Sequence, residues 1–164
     1  MRVERKEKAF NVREFREEDA VVASAILQSA REAANWSSKA LVEFMRLPGA
    51  IALMSERGGK LSGFILGRVV ADEAEILNLG VLEECRREGE GRALVMELRR
   101  RFAESGVSRV FLEVRESNHG AIEFYEGMGF RQKGRREDYY REPCEAALVY
   151  ELNEDSRRLV RKTS

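Results

Sequence analysis

The chain has 164 residues, which is enough for one domain with a buried core and short of the length at which chains usually divide. Because 29 Lys and Arg residues balance 29 Asp and Glu residues, the overall charge favours neither nucleic acid nor an anionic membrane as a partner. No apolar run reaches the length of a membrane span, and residues 1–8 do not have the pattern of a secretory signal. Cys85 and Cys144 fit neither a metal site nor a disulfide framework, so we expect a cytoplasmic protein without a metal.

The N-terminal part of the chain is predicted to form one strand and two helices. Alternating residues in FNVREF indicate the strand, and Asp19 can cap a first helix in which Val22 and Ile26 share a face. WSSKALVEFMRLPG has a serine that can cap a second helix and a Pro-Gly pair that can end it.

The remaining elements alternate between strands and helices. AIALMS and LSGFILGRVV flank a Gly-Gly turn and predict a hairpin, which AEILNLGV extends by a third strand. Gly91 to Ser105 predicts an amphipathic helix with Leu94, Leu98 and Phe102 on one stripe. RVFLEV predicts a strand, NHGAIEFYEGMG a short helix, and FRQKG and AALVYEL the last two strands.

This order of elements predicts the fold class. We expect a single α/β (α+β) domain over residues 9–152, with a mixed, mostly antiparallel sheet and helices on both of its faces. Residues 1–8 and 153–164 are predicted to be charged tails outside that domain.

The segment RREGEGRAL, residues 86–94, lies between a predicted strand and a predicted helix. Gly89 and Gly91 would let an anion approach the free N–H groups at the helix start, and arginines at 86, 87 and 92 offer guanidinium groups suited to phosphate oxygens. A glycine-containing turn with solvated arginines is the alternative interpretation. The third glycine of the dinucleotide fingerprint and the Gly-Lys-Ser/Thr of a triphosphate loop are absent, which disfavours NAD and ATP.

Glu88 and Glu90 are unfavourable residues for an anion site. Because main-chain amides would hold the anion, we expect both side chains to point outward and to repel it only weakly through solvent.

Four ordered blocks of the sequence resemble the GNAT acyltransferases, which use acetyl-CoA. Residues 86–91 fit the family's pyrophosphate loop, Gln/Arg-x-x-Gly-x-Gly/Ala, and LEVRESNHGAIEFYEGMGF follows at the expected distance. This second block, together with NWSSKAL and GRREDYYREPCEAALVYEL, is similar to the branch that acetylates protein N-terminal amines. Within that branch, the sequence looks most like the bacterial ribosomal-protein-alanine N-acetyltransferases.

The resemblance implies where acetyl-CoA would bind. The sheet would be splayed open between the strand that ends at Val81 and the strand that holds Glu113. The pantetheine arm would bind main-chain groups around Leu79, Gly80 and Val81. The other implied cofactor-binding residues are Arg86, Arg87, Glu88, Gly89, Glu90, Gly91, Arg92 and Asn118, of which Asn118 also fits as the cap of the short helix.

The resemblance also implies the catalytic residues. Glu113 holds the position of the proposed base, although a glutamate in a strand can equally be a surface partner of Arg115 or another basic residue. Glu75, on the preceding strand, is the alternative base. Tyr125 holds the position of the family's usual acid, because a phenol with a reference pKa of about 10 stays protonated and can donate to the leaving thiolate. Its alternative role is that of a core aromatic.

Tyr139 and Tyr140 resemble the tyrosine pair that packs over the backbone of a peptide substrate, with edge-strand aromatics as the alternative. Trp36 and His119 are expected to be a core residue and a turn residue. The chain has Ala146 after Glu145, where similar enzymes carry Glu-Asp, so the nearby substrate contacts are in doubt.

The sequence thus predicts an acetyl-CoA-dependent N-acetyltransferase that acts on a protein N-terminus, such as that of a ribosomal protein beginning with alanine. The alternatives are a small-molecule amine acetyltransferase and a non-catalytic acyl-CoA-binding protein.

Overall fold

The computed structural model describes residues 9–29 and 36–154, so nearly all of the two predicted charged tails lies outside the described residues. The strands are β1 (Asn11–Glu14), β2 (Ala50–Arg57), β3 (Lys60–Val70), β4 (Glu73–Val81), β5 (Arg109–Arg115), β6 (Arg131–Arg141) and β7 (Cys144–Asn153). The α-helices are α1 (Ala20–Ser29), α2 (Ser38–Met45), α3 (Glu90–Glu104) and α4 (His119–Gly127). The predicted order of elements and the predicted fold class are confirmed.

The seven strands form one sheet in the order β1-β2-β3-β4-β5-β7-β6. The neighbouring strands are antiparallel except β4 and β5, which run parallel. These two strands pair only over Glu73–Ile76 and Arg109–Leu112, and no further pair joins them within the described part of the chain. Their remaining halves separate, so the splayed sheet that the resemblance implied is present.

Two apolar clusters cover the two faces of the sheet. On one face, α3 and α4 pack against the middle of the sheet, and Leu94, Leu98 and Phe102 are all fully buried, as their spacing predicted. On the other face, α1 and α2 pack against β2, β3 and β4. The helix predicted from the spacing of Val22, Ile26 and Ala30 is present as α1, although Ala30 lies outside the described residues. Within α1, Ile26 is buried and Val22 is 41% exposed.

The last hairpin is longer than the sequence indicated. FRQKG predicted a short strand, whereas β6 continues to Arg141 and its residues are almost all exposed. As the edge strand of the sheet, β6 pairs with β7 alone and has no buried face of its own. Its charged residues therefore carry no alternating pattern that could predict the outer half of the strand.

The structure describes no helix that is both long enough and apolar enough to cross a membrane.

A buried ion pair holds the start of α1 against β1. Asp19 is buried and accepts from both Nη atoms of Arg13, at 2.7 and 2.9 Å, and from the N–H of Arg16 at 2.7 Å. Asp19 was predicted to cap the helix that follows it; instead, its carboxylate reaches back to the residues before it. Hydrogen bonding from Arg13 is the largest effect on this carboxyl and lowers the pKa of Asp19.

We predict that Asp19→Asn lowers the free energy of unfolding by about 2 kcal/mol, because it removes the carboxylate that binds both Nη atoms of Arg13 and leaves Glu56 as the remaining partner of that charge. Chemical denaturation at neutral pH measures this loss. Since the folded-state pKa of Asp19 lies below its unfolded value of about 3.9, the stabilisation is present above that pH and is lost as the pH falls. The difference between wild type and variant should therefore shrink in acid; an equal difference at all pH values would contradict this account.

Candidate active site

A groove of about 1130 Å³ opens where β4 and β5 separate. It is lined by residues from β4, from the loop before α3, from β5 and from α4. All of the predicted cofactor-binding residues line it except Glu88, and so do Glu113, Tyr125 and Tyr140. Residues predicted from four separate stretches of the sequence therefore meet in one groove.

The β4 wall of the groove is an exposed strand edge. Leu79, Gly80 and Val81 pair with β3 on one side and have no β5 partner on the other, so alternate main-chain groups face the groove. Two of these groups have side-chain partners in the structure. The N–H of Leu79 donates to Asn78 Oδ1 at 3.0 Å, and the carbonyl of Val81 accepts from Arg86 Nε at 2.9 Å.

The loop between β4 and α3 has the backbone geometry of an anion cradle. Arg87 and Gly89 both have positive φ angles, +62° and +84°, and Gly89 is the N-cap of α3. The first bond within the helix runs from the N–H of Ala93 to the carbonyl of Gly89, which leaves the N–H groups of residues 90–92 without helical partners. Residues that have a left-handed backbone conformation and lie beside the first turn of a helix orient successive N–H groups toward one concave surface.

The prediction that Glu90 points outward is wrong. Its side chain is completely buried, and its carboxylate contacts three side chains of β2 and β3. Ser55 Oγ donates to Oε1 at 2.5 Å, Ser62 Oγ donates to the same oxygen, and Arg57 Nε donates to Oε2 at 2.6 Å. Glu90 occupies the first turn of α3, which places its side chain over the β2–β3 hairpin instead of in solvent.

Glu88 is exposed, as predicted, but it is also paired. Its Oε2 accepts from Arg57 Nη1 at 2.5 Å, so one arginine binds both glutamates of the loop. The sequence analysis missed Arg57, because no local pattern connects it with a loop that lies 31 residues away.

Helix α4 places an acid candidate at the groove. Its N-cap is Asn118, whose Oδ1 accepts from the N–H of Ala121 at 3.0 Å, so the predicted capping role is confirmed. Tyr125 is 7% exposed, and burial raises the pKa of its phenol well above the ordinary value. No hydrogen bond to the Tyr125 hydroxyl is found among the residues that the structure describes. His119 is exposed and does not line the groove.

The base candidate Glu113 lies on β5, just beyond the last residue that pairs with β4. Leu112 and Val114 are buried on the opposite face, as strand alternation predicted. Glu113 does not pair with Arg115. Its Oε1 lies 3.0 Å from Nε of Arg136, a residue that the sequence analysis did not single out.

Glu75 lies on the same face of the sheet as Glu113, because it pairs with Phe111, two residues earlier on β5. Although Glu75 is exposed, the surrounding protein desolvates its carboxyl and raises its pKa, and the charge of Glu113 adds to this effect. Glu75 does not line the groove. The alternative base is therefore electrostatically coupled to Glu113 but farther from the predicted cofactor site.

The tyrosine pair lies beside Glu113 at the end of β6. Hydrogen bonding to Glu113 is the largest of the effects that raise the pKa of Tyr139 to about 12. The rings of Tyr139 and Tyr140 are perpendicular, with centroids 5.1 Å apart, and the Arg115 guanidinium lies 4.0 Å from the Tyr140 ring centroid. Both phenols therefore stay protonated at neutral pH, and both lie next to the base candidate.

Glu145, which precedes the position where the sequence departs from similar enzymes, supports the turn before α4. Its carboxylate accepts from the N–H of Ser117 at 2.7 Å and from the Ser117 hydroxyl at 2.9 Å, and these bonds lower its pKa. The next residue, Ala146, is buried. Within the described ranges, no group of three or more His, Cys, Asp or Glu side chains could hold a metal ion.

Comparisons with known proteins agree with this geometry. A sequence model described as "Acetyltransferase (GNAT) family" matches residues 12–130. The [ribosomal protein bS18]-alanine N-acetyltransferase of Escherichia coli K12 is 40% identical over 84 residues, which cover 51% of this chain and 57% of that protein. The N-alpha-acetyltransferase RimI of Mycobacterium tuberculosis is 39% identical over 103 residues, which cover 60% of this chain and 62% of that protein. The chain thus spans between half and two thirds of the length of these curated relatives.

A solved structure extends the likeness to most of the chain. The crystal structure of the ribosomal-protein-S18-alanine N-acetyltransferase from Escherichia coli superposes with a TM-score of 0.78 at 31% identity, covering 88% of this chain and 93% of that one. The family model covers well over half of the sequence and includes β4, the loop before α3, β5 and α4. The chain therefore belongs to the GNAT acetyltransferase family.

Proposed function

We propose that residues 9–152 form an acetyl-CoA-dependent N-acetyltransferase domain that acts in the cytoplasm on the N-terminal α-amine of a protein. The observation that carries the proposal is that one groove is lined by the loop before α3 and also by Tyr125 and Glu113. Acetyl-CoA fits that arrangement, because the loop would bind its pyrophosphate while Tyr125 and Glu113 lie where its acetyl group would react.

The residues of the loop fit a pyrophosphate. The free N–H groups of residues 90–92 and the positive end of α3 favour an anion, and Arg87 and Arg92 add charge at the rim. A Cβ at Gly91 would have its nearest neighbours at 3.8 Å, which agrees with a motif that accepts Gly or Ala there. Acetyl-CoA, bound with its pantetheine arm along residues 79–81, supplies the thioester whose acetyl group is transferred.

The side chains of this protein then perform two proton transfers. Glu113 takes a proton from the incoming ammonium, directly or through a water molecule, so that the amine becomes nucleophilic. A protein α-amine has a reference pKa of about 7.7 to 8.0, against about 10.4 for lysine, so a carboxylate is a sufficient base. Tyr125 remains protonated because burial raises its pKa, and its hydroxyl relays a proton to the departing sulfur, regaining one as the acylated nitrogen loses its second proton.

The surroundings of Glu113 favour an N-terminal amine as the acceptor. The carboxylate of Glu113 attracts an ammonium group, and Arg136, which pairs with it, is largely exposed. Tyr139 and Tyr140 offer flat surfaces and hydroxyl groups for the first residues of a peptide. The names of the relatives point to a ribosomal protein with an N-terminal alanine as the substrate.

We predict that Glu113→Gln and Tyr125→Phe each lower kcat roughly 100-fold for acetylation of a peptide beginning with alanine, because each removes one proton transfer. Glu75→Gln is the matched control for Glu113→Gln, since it removes a coupled carboxylate that does not line the groove; we expect its kcat to stay close to that of wild type. CoA release, followed with a thiol reagent, measures all three rates.

Two results would contradict these assignments. Full activity of the Glu113 and Tyr125 variants would show that neither residue transfers a proton. A panel of free amino acids, polyamines and aminoglycosides, run beside the peptide, tests the acceptor: faster turnover of any of these amines would identify a small-molecule acetyltransferase. CoA binding without turnover of any amine would instead indicate a binding protein.

We predict that Gly89→Ala lowers the free energy of unfolding by about 1 kcal/mol, because residue 89 has a φ of +84° and side chains disfavour that region. The same change should weaken CoA binding, since it distorts the loop. Gly91→Ala is the matched control: it adds the same methyl group at ordinary contact distance and within a helix. Denaturation measures the loss of stability, and calorimetric titration measures the affinity for CoA. Equal stability and equal CoA affinity of the two variants would show that the left-handed conformation of residue 89 contributes to neither.

A further inference from the structure

Glu90 is a buried carboxylate directly beneath the anion-binding loop. Its side chain has no solvent exposure, and it is bound by two hydroxyls and one guanidinium, those of Ser55, Ser62 and Arg57. Burying a carboxylate is costly unless such partners compensate it. The cost of burying Glu90 indicates that the cluster has a function, because an apolar side chain could fill the same position without that cost.

The cluster connects the loop to the rigid part of the sheet. Ser55 and Arg57 lie on β2 and Ser62 lies on β3, while Glu90 follows the N-cap Gly89 directly. Gly63 makes the approach possible, since a Cβ there would lie 2.5 Å from Ser55 Oγ and 3.2 Å from Glu90 Oε1. The contact thus fixes the first residue of α3, and with it the N–H groups of residues 90–92, on the β2–β3 hairpin.

The charge of this cluster is unhelpful for binding an anion. A carboxylate at a helix start competes with a phosphate for the positive end of the helix dipole. Arg57 offsets the charge of Glu90, but it is shared with Glu88. By charge alone, removal of Glu90 should improve anion binding, whereas by geometry alone it should weaken it. The two effects have opposite signs and can be separated by experiment.

We propose that Glu90 is a positioning residue that, through Arg57, Ser55 and Ser62, holds the N–H groups of residues 90–92 in the orientation that binds the CoA pyrophosphate. This inference rests on the proposed acetyl-CoA site. Glu90 would act through other residues and not through its own contact with the cofactor, because its side chain is completely buried and is bound by side chains of β2 and β3.

The test compares Glu90→Gln with Glu88→Gln in the full chain. Both variants remove one negative charge and one partner of Arg57, but only Glu90 is buried. Isothermal titration with CoA and with pantetheine, which lacks the pyrophosphate, measures affinity for each part of the groove. We expect Glu90→Gln to bind CoA about tenfold more weakly, equivalent to about 1.4 kcal/mol, and pantetheine as wild type does. Glu88→Gln should bind CoA at least as tightly as wild type.

Several outcomes would overturn the inference. CoA affinity that is unchanged or increased in Glu90→Gln would show that charge outweighs positioning, and an equal loss for CoA and pantetheine would show a general structural role. Should Glu90→Gln fail to fold, Ser62→Ala removes a single hydrogen bond of the cluster, and wild-type CoA affinity in that variant would also refute the role. Failure of the wild-type protein to bind CoA would instead refute the proposed function and this inference with it.

Discussion

The separation of β4 from β5 is the constraint on which the rest of the structure depends. The two strands pair over four residues each and then part, yet each keeps its antiparallel neighbour on the other side. Separation therefore leaves only the two inner edges without partners. Below the point of separation, the core under α3 and α4 contains residues from both strands, including Ile76 and Leu112, and holds the halves of the sheet together. The opening is accordingly a stable feature of a continuous domain.

The chemistry of the groove follows from the elements that flank the opening. Helix α3 begins after β4 and helix α4 begins after β5, so the positive ends of both helices lie near the open end of the sheet. The loop before α3 and the capping residue Asn118 thus line one groove. Glu113 lies one residue past the last pair between β4 and β5, and Tyr125 faces the groove from α4. One break in strand pairing therefore brings the proposed acetyl-CoA site and both proton-transfer candidates together.

The sequence predicted the elements that have a strong internal pattern. The stripe of Leu94, Leu98 and Phe102 and the cap Asn118 depend on local spacing, and the structure contains both as expected. The opening of the sheet has no such pattern, because it is a missing contact between strands distant in sequence; only the resemblance to a known family indicated it. The outer half of β6 was missed for a related reason, since its tertiary neighbours alone determine it.

Glu90 shows why charge near a binding site cannot be counted from local sequence. The loop contains arginines and glutamates in similar numbers, which gives no clear preference for an anion. The structure changes that balance, because Arg57, 31 and 33 residues earlier, binds both glutamates. The guanidinium of Arg57 is directed at these carboxylates and does not line the groove, whereas Arg87 and Arg92 do. An anion in the groove therefore meets the unpaired main-chain N–H groups and the rim arginines, while Arg57 offsets part of the charge of the two glutamates.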